Sequence, residues 1–176
     1  MRILGGVMEH QLKTISKEAI PEATAKADWY RLLNEPGEAE SICRDVLAVD
    51  PGDQTALRLL GLAITDQFSG APSDRRVEAE SVFEKLEDPY ERLYYAGIVR
   101  ERSAKAQLSA GRAPHTLIVL FEDALTWFEQ AEKIRPAGND EAILRWNRCV
   151  RILKNIAVSD REREHAHFEP RDSPPL

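Results

Sequence analysis

One side-chain frame recurs along this chain and constrains its fold more than any other feature. In its fullest form it reads Ala124-x3-Phe128-x2-Ala131-x4-Pro136. It returns as Ala39-x3-Cys43-x2-Val46-x4-Pro51, and again as Ala79-x3-Phe83-x2-Leu86 with its proline early, at Pro89. Positions three, four and seven residues apart share one face of an α-helix. Each frame therefore marks a helix whose inner face mixes small and large side chains, a profile into which a second helix can nest. The proline stops that helix from running into the next unit.

The segments ahead of these frames carry a complementary pattern. Leu57-x2-Leu60-Gly61-x2-Ile64 and Leu93-x2-Ala96-Gly97 each put a glycine inside a helix, and Ala27 and Tyr30 hold the equivalent places in the first unit. A glycine there costs about 0.5–1 kcal/mol relative to alanine. Its presence at both positions predicts that two helix backbones approach closely at Gly61 and at Gly97.

Apolar residues recur at three- and four-residue steps through most of the chain, and no stretch alternates long enough to read as a strand. Glycine and proline gather at Asn34 to Gly37, Asp50 to Gly52, Ser69 to Pro72, Asp88-Pro89, Gly111 to Pro114 and Pro136 to Gly138. Each cluster is a helix boundary by the usual chemistry of caps and breakers. The spacing predicts helices over about 17–33, 37–49, 53–67, 73–87, 90–110, 115–134 and 139–156. The expected class is all-α, with antiparallel helix pairs joined by short connections.

In Leu60-Gly61 with Ile64, Tyr30, Ala39, Ala79 with Phe83, and Ala124 with Phe128, Ala131 and Pro136, the chain resembles the tetratricopeptide repeat family. The likeness spans about 22–150. It departs from the family pattern in two ways. The family's tryptophan position is never tryptophan here. Gly61 to Ala79 takes 18 residues and Gly97 to Ala124 takes 27, against 12 from Ala27 to Ala39, so the second and third units hold insertions of about 6 and 15 residues. The resemblance implies helix pairs stacked in a short right-handed superhelix over 17–157, closed by a capping helix that covers the apolar end of the stack. It also implies that the first helices of the pairs line a groove for a peptide or another protein. Mapped onto this chain, that groove takes Asp28, Arg31, Arg58, Leu62, Asp66, Tyr94, Ile98, Arg102, Asn147 and Arg151. The Lys-x3-Asn and Lys-x3-Arg pairs with which one subgroup clamps a chaperone tail are missing.

Composition narrows the function classes. With 24 basic and 30 acidic residues the chain carries −6, which disfavours non-specific nucleic-acid binding. Its longest apolar run, Leu117 to Phe121, falls far short of the roughly 20 residues a membrane-spanning helix needs. That run nevertheless covers every direction of a helix, and Leu117, Ile118 and Leu120 are candidates for self-association, with a homodimer as the expected product. Cys43 and Cys149 sit among apolar neighbours, so buried free thiols and a cytoplasmic, reducing location are expected.

Residues 1–16 are expected to form a mobile lead-in, with Met8 as an alternative start; the apolar stretch before Glu9 is too short for an export signal. Residues 158–176, charged and proline-rich, are expected to be a disordered tail. In that tail His165 and His167, with Glu162 or Glu164, lack further ligands at a recognisable metal spacing. No phosphate loop, paired Cys-x2-Cys motif or nucleophile elbow occurs, so neither catalysis nor a cofactor or metal is expected. The expected function is non-catalytic protein binding as an adaptor, scaffold or co-chaperone. A secretion-type chaperone for unfolded clients and a small helical enzyme or ligand-binding protein stand as alternatives.

Overall fold

The computed structural model describes residues 3–4, 7–8, 10–70 and 75–167. A two-residue antiparallel ladder comes first, β1 (Ile3–Leu4) against β2 (Val7–Met8). The rest is helical: α1 (Ile20–Leu32), α2 (Pro36–Val49), α3 (Gln54–Asp66), α4 (Arg75–Phe83), α5 (Pro89–Ser109), α6 (Ile118–Lys133) and α7 (Glu141–His167). Short 3-10 turns lead into α1 and α6.

Helix starts follow local chemistry. Asp53 accepts the Ala56 amide at 2.7 Å and Asp88 accepts the Tyr90 amide at 2.8 Å, each satisfying a first-turn N–H that has no partner within the helix. Pro36 and Pro89 occupy first-turn positions, where the missing N–H costs nothing. Asn34 leaves α1 with φ of 60°, the left-handed turn that asparagine tolerates.

Every helix packs on the next in sequence, and α1 also touches α3 as α3 touches α5. The helices thus form pairs, α1–α2, α3–α4 and α5–α6, with the first member of each pair next to the first member of its neighbour. One apolar cluster, around Leu57, Leu60, Ile64, Phe83 and Leu86, fills the space among α1 to α4. A second, around Tyr94, Ile98, Phe121, Phe128 and Cys149, fills the space among α5 to α7. Leu62 and Tyr95 pack against both, and Tyr95 stacks on Phe83 at 4.5 Å between ring centroids.

The close approaches expected at the two helical glycines are present. A Cβ built on Gly61 would lie 2.4 Å from two atoms of the Phe83 ring, and one on Gly97 would lie 2.5 Å from Phe128 Cε1. The same contact, an α3 or α5 glycine under a phenylalanine of the following helix, is made twice. In the first pair Ala27 and Cys43 take these places, both fully buried in one cluster. The larger residue on one side is matched by a smaller one on the other.

Several expected boundaries differ: α4 ends at Phe83 where 87 was expected, and 3-10 turns take the first residues expected of α1 and α6. Helix α7 does not stop near residue 156 but runs to His167, into the segment 158–176 that was expected to be disordered, because no glycine or proline interrupts Ala157 to His167. The start of α4 is Arg75; residues 71–74 lie outside the described residues. So do most of residues 1–9, all of 168–176, and the side chains of His165 and His167.

Candidate functional site

The first helices α1, α3 and α5 meet along one face, and a line of charges crosses it. Arg31 Nε on α1 donates to Asp66 Oδ2 at 2.9 Å, and Asp66 Oδ1 accepts from Arg102 Nη1 on α5. The same Arg102 nitrogen also donates to Thr65 Oγ1 at 2.6 Å and to the Leu62 carbonyl at 3.2 Å. Asp28 adds a longer contact to Arg31 at 3.8 Å. Four of the ten groove residues expected from the sequence, Asp28, Arg31, Asp66 and Arg102, are therefore brought together.

The other six scatter. Arg58 pairs with Glu91 across α3 and α5 at 3.1 Å. Leu62 is half-buried between the two apolar clusters. Asn147 and Arg151 are exposed on α7. Tyr94 and Ile98 are not on a surface: they are 8% and 1% exposed, in the core beside Phe128 and Cys149. The reason is α7, which folds over this end of the face and lays Arg145 beside Tyr94. A groove face mapped as open along α5 is sealed there by the last helix.

The self-association residues need a similar correction. Leu117 is 1% exposed and belongs to the α5–α7 core, while Ile118 and Leu120 are half-buried against it. The outward residue of the run is Val119, at 69%. The 3-10 turn that ends at Leu117 rotates the run relative to a continuous helix.

Sequence reasoning passed over Glu101. It is 0% exposed, yet a carboxylate, held 3.6 Å from Lys105 Nζ and 3.5 Å from Arg145 on α7. Neither oxygen has a hydrogen-bond partner among the described residues. The signal was available: Tyr94, Ile98 and Glu101 are spaced four and three apart, which sets Glu101 on the core face.

Beside the charge line a cleft of about 520 Å³ opens between the end of α3 and α5, lined by Thr65, Asp66, Phe68, Arg102, Lys105 and Ser109 among others. Gly70 follows the lining residue Ser69; its φ is +78° and a Cβ on it would lie 2.6 Å from the Ala106 carbonyl oxygen, a place only glycine fits.

On the other side of the stack the charges cross-link the pairs. Glu40 on α2 accepts from Arg44 at 2.7 Å and from Gln67 and Arg75 at 2.6 Å each. Burial by itself would raise the Glu40 carboxyl, but the combined hydrogen bonds from Arg75, Arg44 and Gln67 outweigh it and bring it down to about 2. Arg100 bridges Glu80 and Asp123, at 3.1 Å each, with its guanidinium 5.0 Å over the Trp127 ring.

Among the described residues no group of three or more His, Cys, Asp or Glu side chains is placed to hold a metal ion. Burial pushes the thiols of Cys43 and Cys149 up to about 12, which leaves them protonated and poor nucleophiles. No helix among the described residues is long and apolar enough to cross a membrane. No family model, curated protein or solved structure matches this chain.

Proposed function

We propose that the chain is a non-catalytic protein-interaction module, similar to tetratricopeptide repeat proteins, that binds a peptide or partner protein along the α1–α3–α5 face. The observation that carries this reading is the Arg31–Asp66–Arg102 line, which ties three successive first helices into one face beside an open cleft. A face held by its own ion pairs loses little freedom when a partner docks, so more of the contact energy appears as affinity. The repeated glycine–phenylalanine contact supports the same reading, since it is the packing device of stacked, equivalent helix pairs. In this reading the pairs wind as a right-handed superhelix with α7 as its cap, and the protein works in the cytoplasm, where its two buried thiols stay reduced.

The test is site-directed photo-crosslinking in cells that express the protein. A photoreactive side chain at Ser109, exposed at the cleft, is compared with one at Glu129, exposed on α6. Partner adducts are expected at Ser109 and not at Glu129. Equal adducts at both, or adducts at Glu129 alone, would rule out the first-helix face.

A further inference from the structure

Asp66 is shared by two arginines, and the cleft beside it is left with hydrogen-bond donors that have no partner among the described residues. Each carboxylate oxygen of Asp66 already accepts from a guanidinium, Oδ2 from Arg31 and Oδ1 from Arg102. The Thr65 hydroxyl donates to the Leu62 carbonyl at 2.9 Å and is committed as well. The second acid nearby, Glu101, is buried behind Lys105 and faces Arg145.

The donors are not used up. Arg102 engages all its acceptors through Nη1, so Nε and Nη2 have no hydrogen-bond partner among the described residues. Lys105 Nζ stands 3.6 Å from Glu101, too far for a hydrogen bond, and its side chain is 40% exposed. The hydroxyls of Ser69 and Ser109 line the same cleft, exposed and without partners among the described residues. Phe68 and Ala106 supply an apolar patch next to them. A cleft of about 520 Å³ with this lining suits a group that brings acceptor oxygens and negative charge, attached to something apolar.

We propose that the cleft is the anchor point for an acidic peptide segment. An aspartate or glutamate carboxylate of the partner sits between Arg102 and Lys105, and an apolar neighbour packs on Phe68. The inference rests on the first-helix face being the partner surface and adds the chemistry of what it takes. The net acidity of the chain does not oppose it, because the cleft's own acids are neutralised in place while its cations keep open donors.

The test uses the full-length chain, ¹⁵N-labelled, titrated with the peptide acetyl-Asp-Glu-Phe-Glu-amide and with its neutral counterpart acetyl-Asn-Gln-Phe-Gln-amide. With the acidic peptide, the amides of Ser69, Gly70, Lys105 and Ser109 are expected to shift saturably, and to shift less in about 300 mM than in about 50 mM salt. The neutral peptide should bind at least tenfold more weakly. A double variant, Ser69→Asp with Ser109→Glu, alters two exposed side chains without hydrogen-bond partners among the described residues, so its melting temperature should stay unchanged. It places negative charge in the cleft and should weaken acidic-peptide binding at least tenfold. Equal binding of both peptides, shifts that cluster elsewhere, no shifts at all, or an unaffected double variant would each overturn the proposal. Partner adducts at Ser109 together with failure of the acidic peptide would remove this inference and leave the partner surface standing. Absence of those adducts would remove the surface itself.

Discussion

Gly61 lies so close beneath the Phe83 ring that a single methyl group on it would come within 2.4 Å of two ring atoms. Gly97 stands in the same relation to Phe128. Replacing either glycine with alanine improves helix propensity by about 0.5–1 kcal/mol but forces a buried ring out of its place, which costs about 1–3 kcal/mol. Gly61→Ala and Gly97→Ala should therefore lower stability by up to about 2.5 kcal/mol each in denaturant unfolding. Gly37→Ala, with nothing within 4 Å of its would-be Cβ, should be neutral or slightly stabilising. Equal effects at all three sites would mean the ring contacts are not tight.

Asp66 should matter to α1 as much as to its own helix. Its side chain is 25% exposed and its partners Arg31 and Arg102 are 17% and 20% exposed, so the array lies between a surface pair and a buried one. Removing the shared carboxylate with Asp66→Asn leaves two half-buried guanidiniums facing each other, at a cost of about 1–3 kcal/mol. Hydrogen exchange should speed up in α1 and around Arg102 while α6 is little changed. Uniform protection across the variant would show that the array does not couple the helices.

Acid should weaken the stack through Glu40. Its carboxyl lies at about 2 in the folded chain against an ordinary 4.5, so its contribution is fully present above pH 4.5 and is lost as pH falls from there towards 2. The amount at stake is on the order of 2–3 kcal/mol, the side chain being only 12% exposed. Unfolding free energy measured from pH 6 to about pH 2.5 should fall less steeply in Glu40→Gln than in the wild type. Parallel slopes would mean that the bonds to Arg44, Gln67 and Arg75 do not hold the proton off.

Both thiols should be silent in the native protein. Cys43 and Cys149 are 0% exposed and burial pushes each up to about 12. A thiol-disulfide reagent at pH 8 should therefore label neither until the chain unfolds, and then both. Rapid labelling of either in the folded state would contradict its burial.

Helix boundaries and tight helix contacts were legible in the sequence because they depend on neighbours within a few positions. Asp53 and Asp88 cap their helices through residues two and three places on, and Gly61 and Gly97 betray close packing by sitting where a helix would otherwise prefer alanine. The long pair α5–α6 and the extra residues before α4 were likewise visible as uneven spacing between frames. The direction of Leu117 to Phe121 was not legible. Five apolar residues in a row fit any rotation, and the 3-10 turn that sends Leu117 inward and Val119 outward is set by packing against α5 and α7.

The charged residues divide the same way. Periodicity made the chain all-α, since spacing along a helix decides which side chains share a side, and the resemblance to tetratricopeptide repeats implied that Arg31, Asp66 and Arg102 lie on the first-helix face. That Arg31 and Arg102 would meet on one carboxylate, 35 and 36 residues away along the chain, follows only from how α1, α3 and α5 lie side by side. The burial of Tyr94, Ile98 and Glu101 likewise depends on α7 folding back over α5. Local pattern determines which face a side chain takes; only the packing of distant helices decides whether that face meets water, a partner or the core.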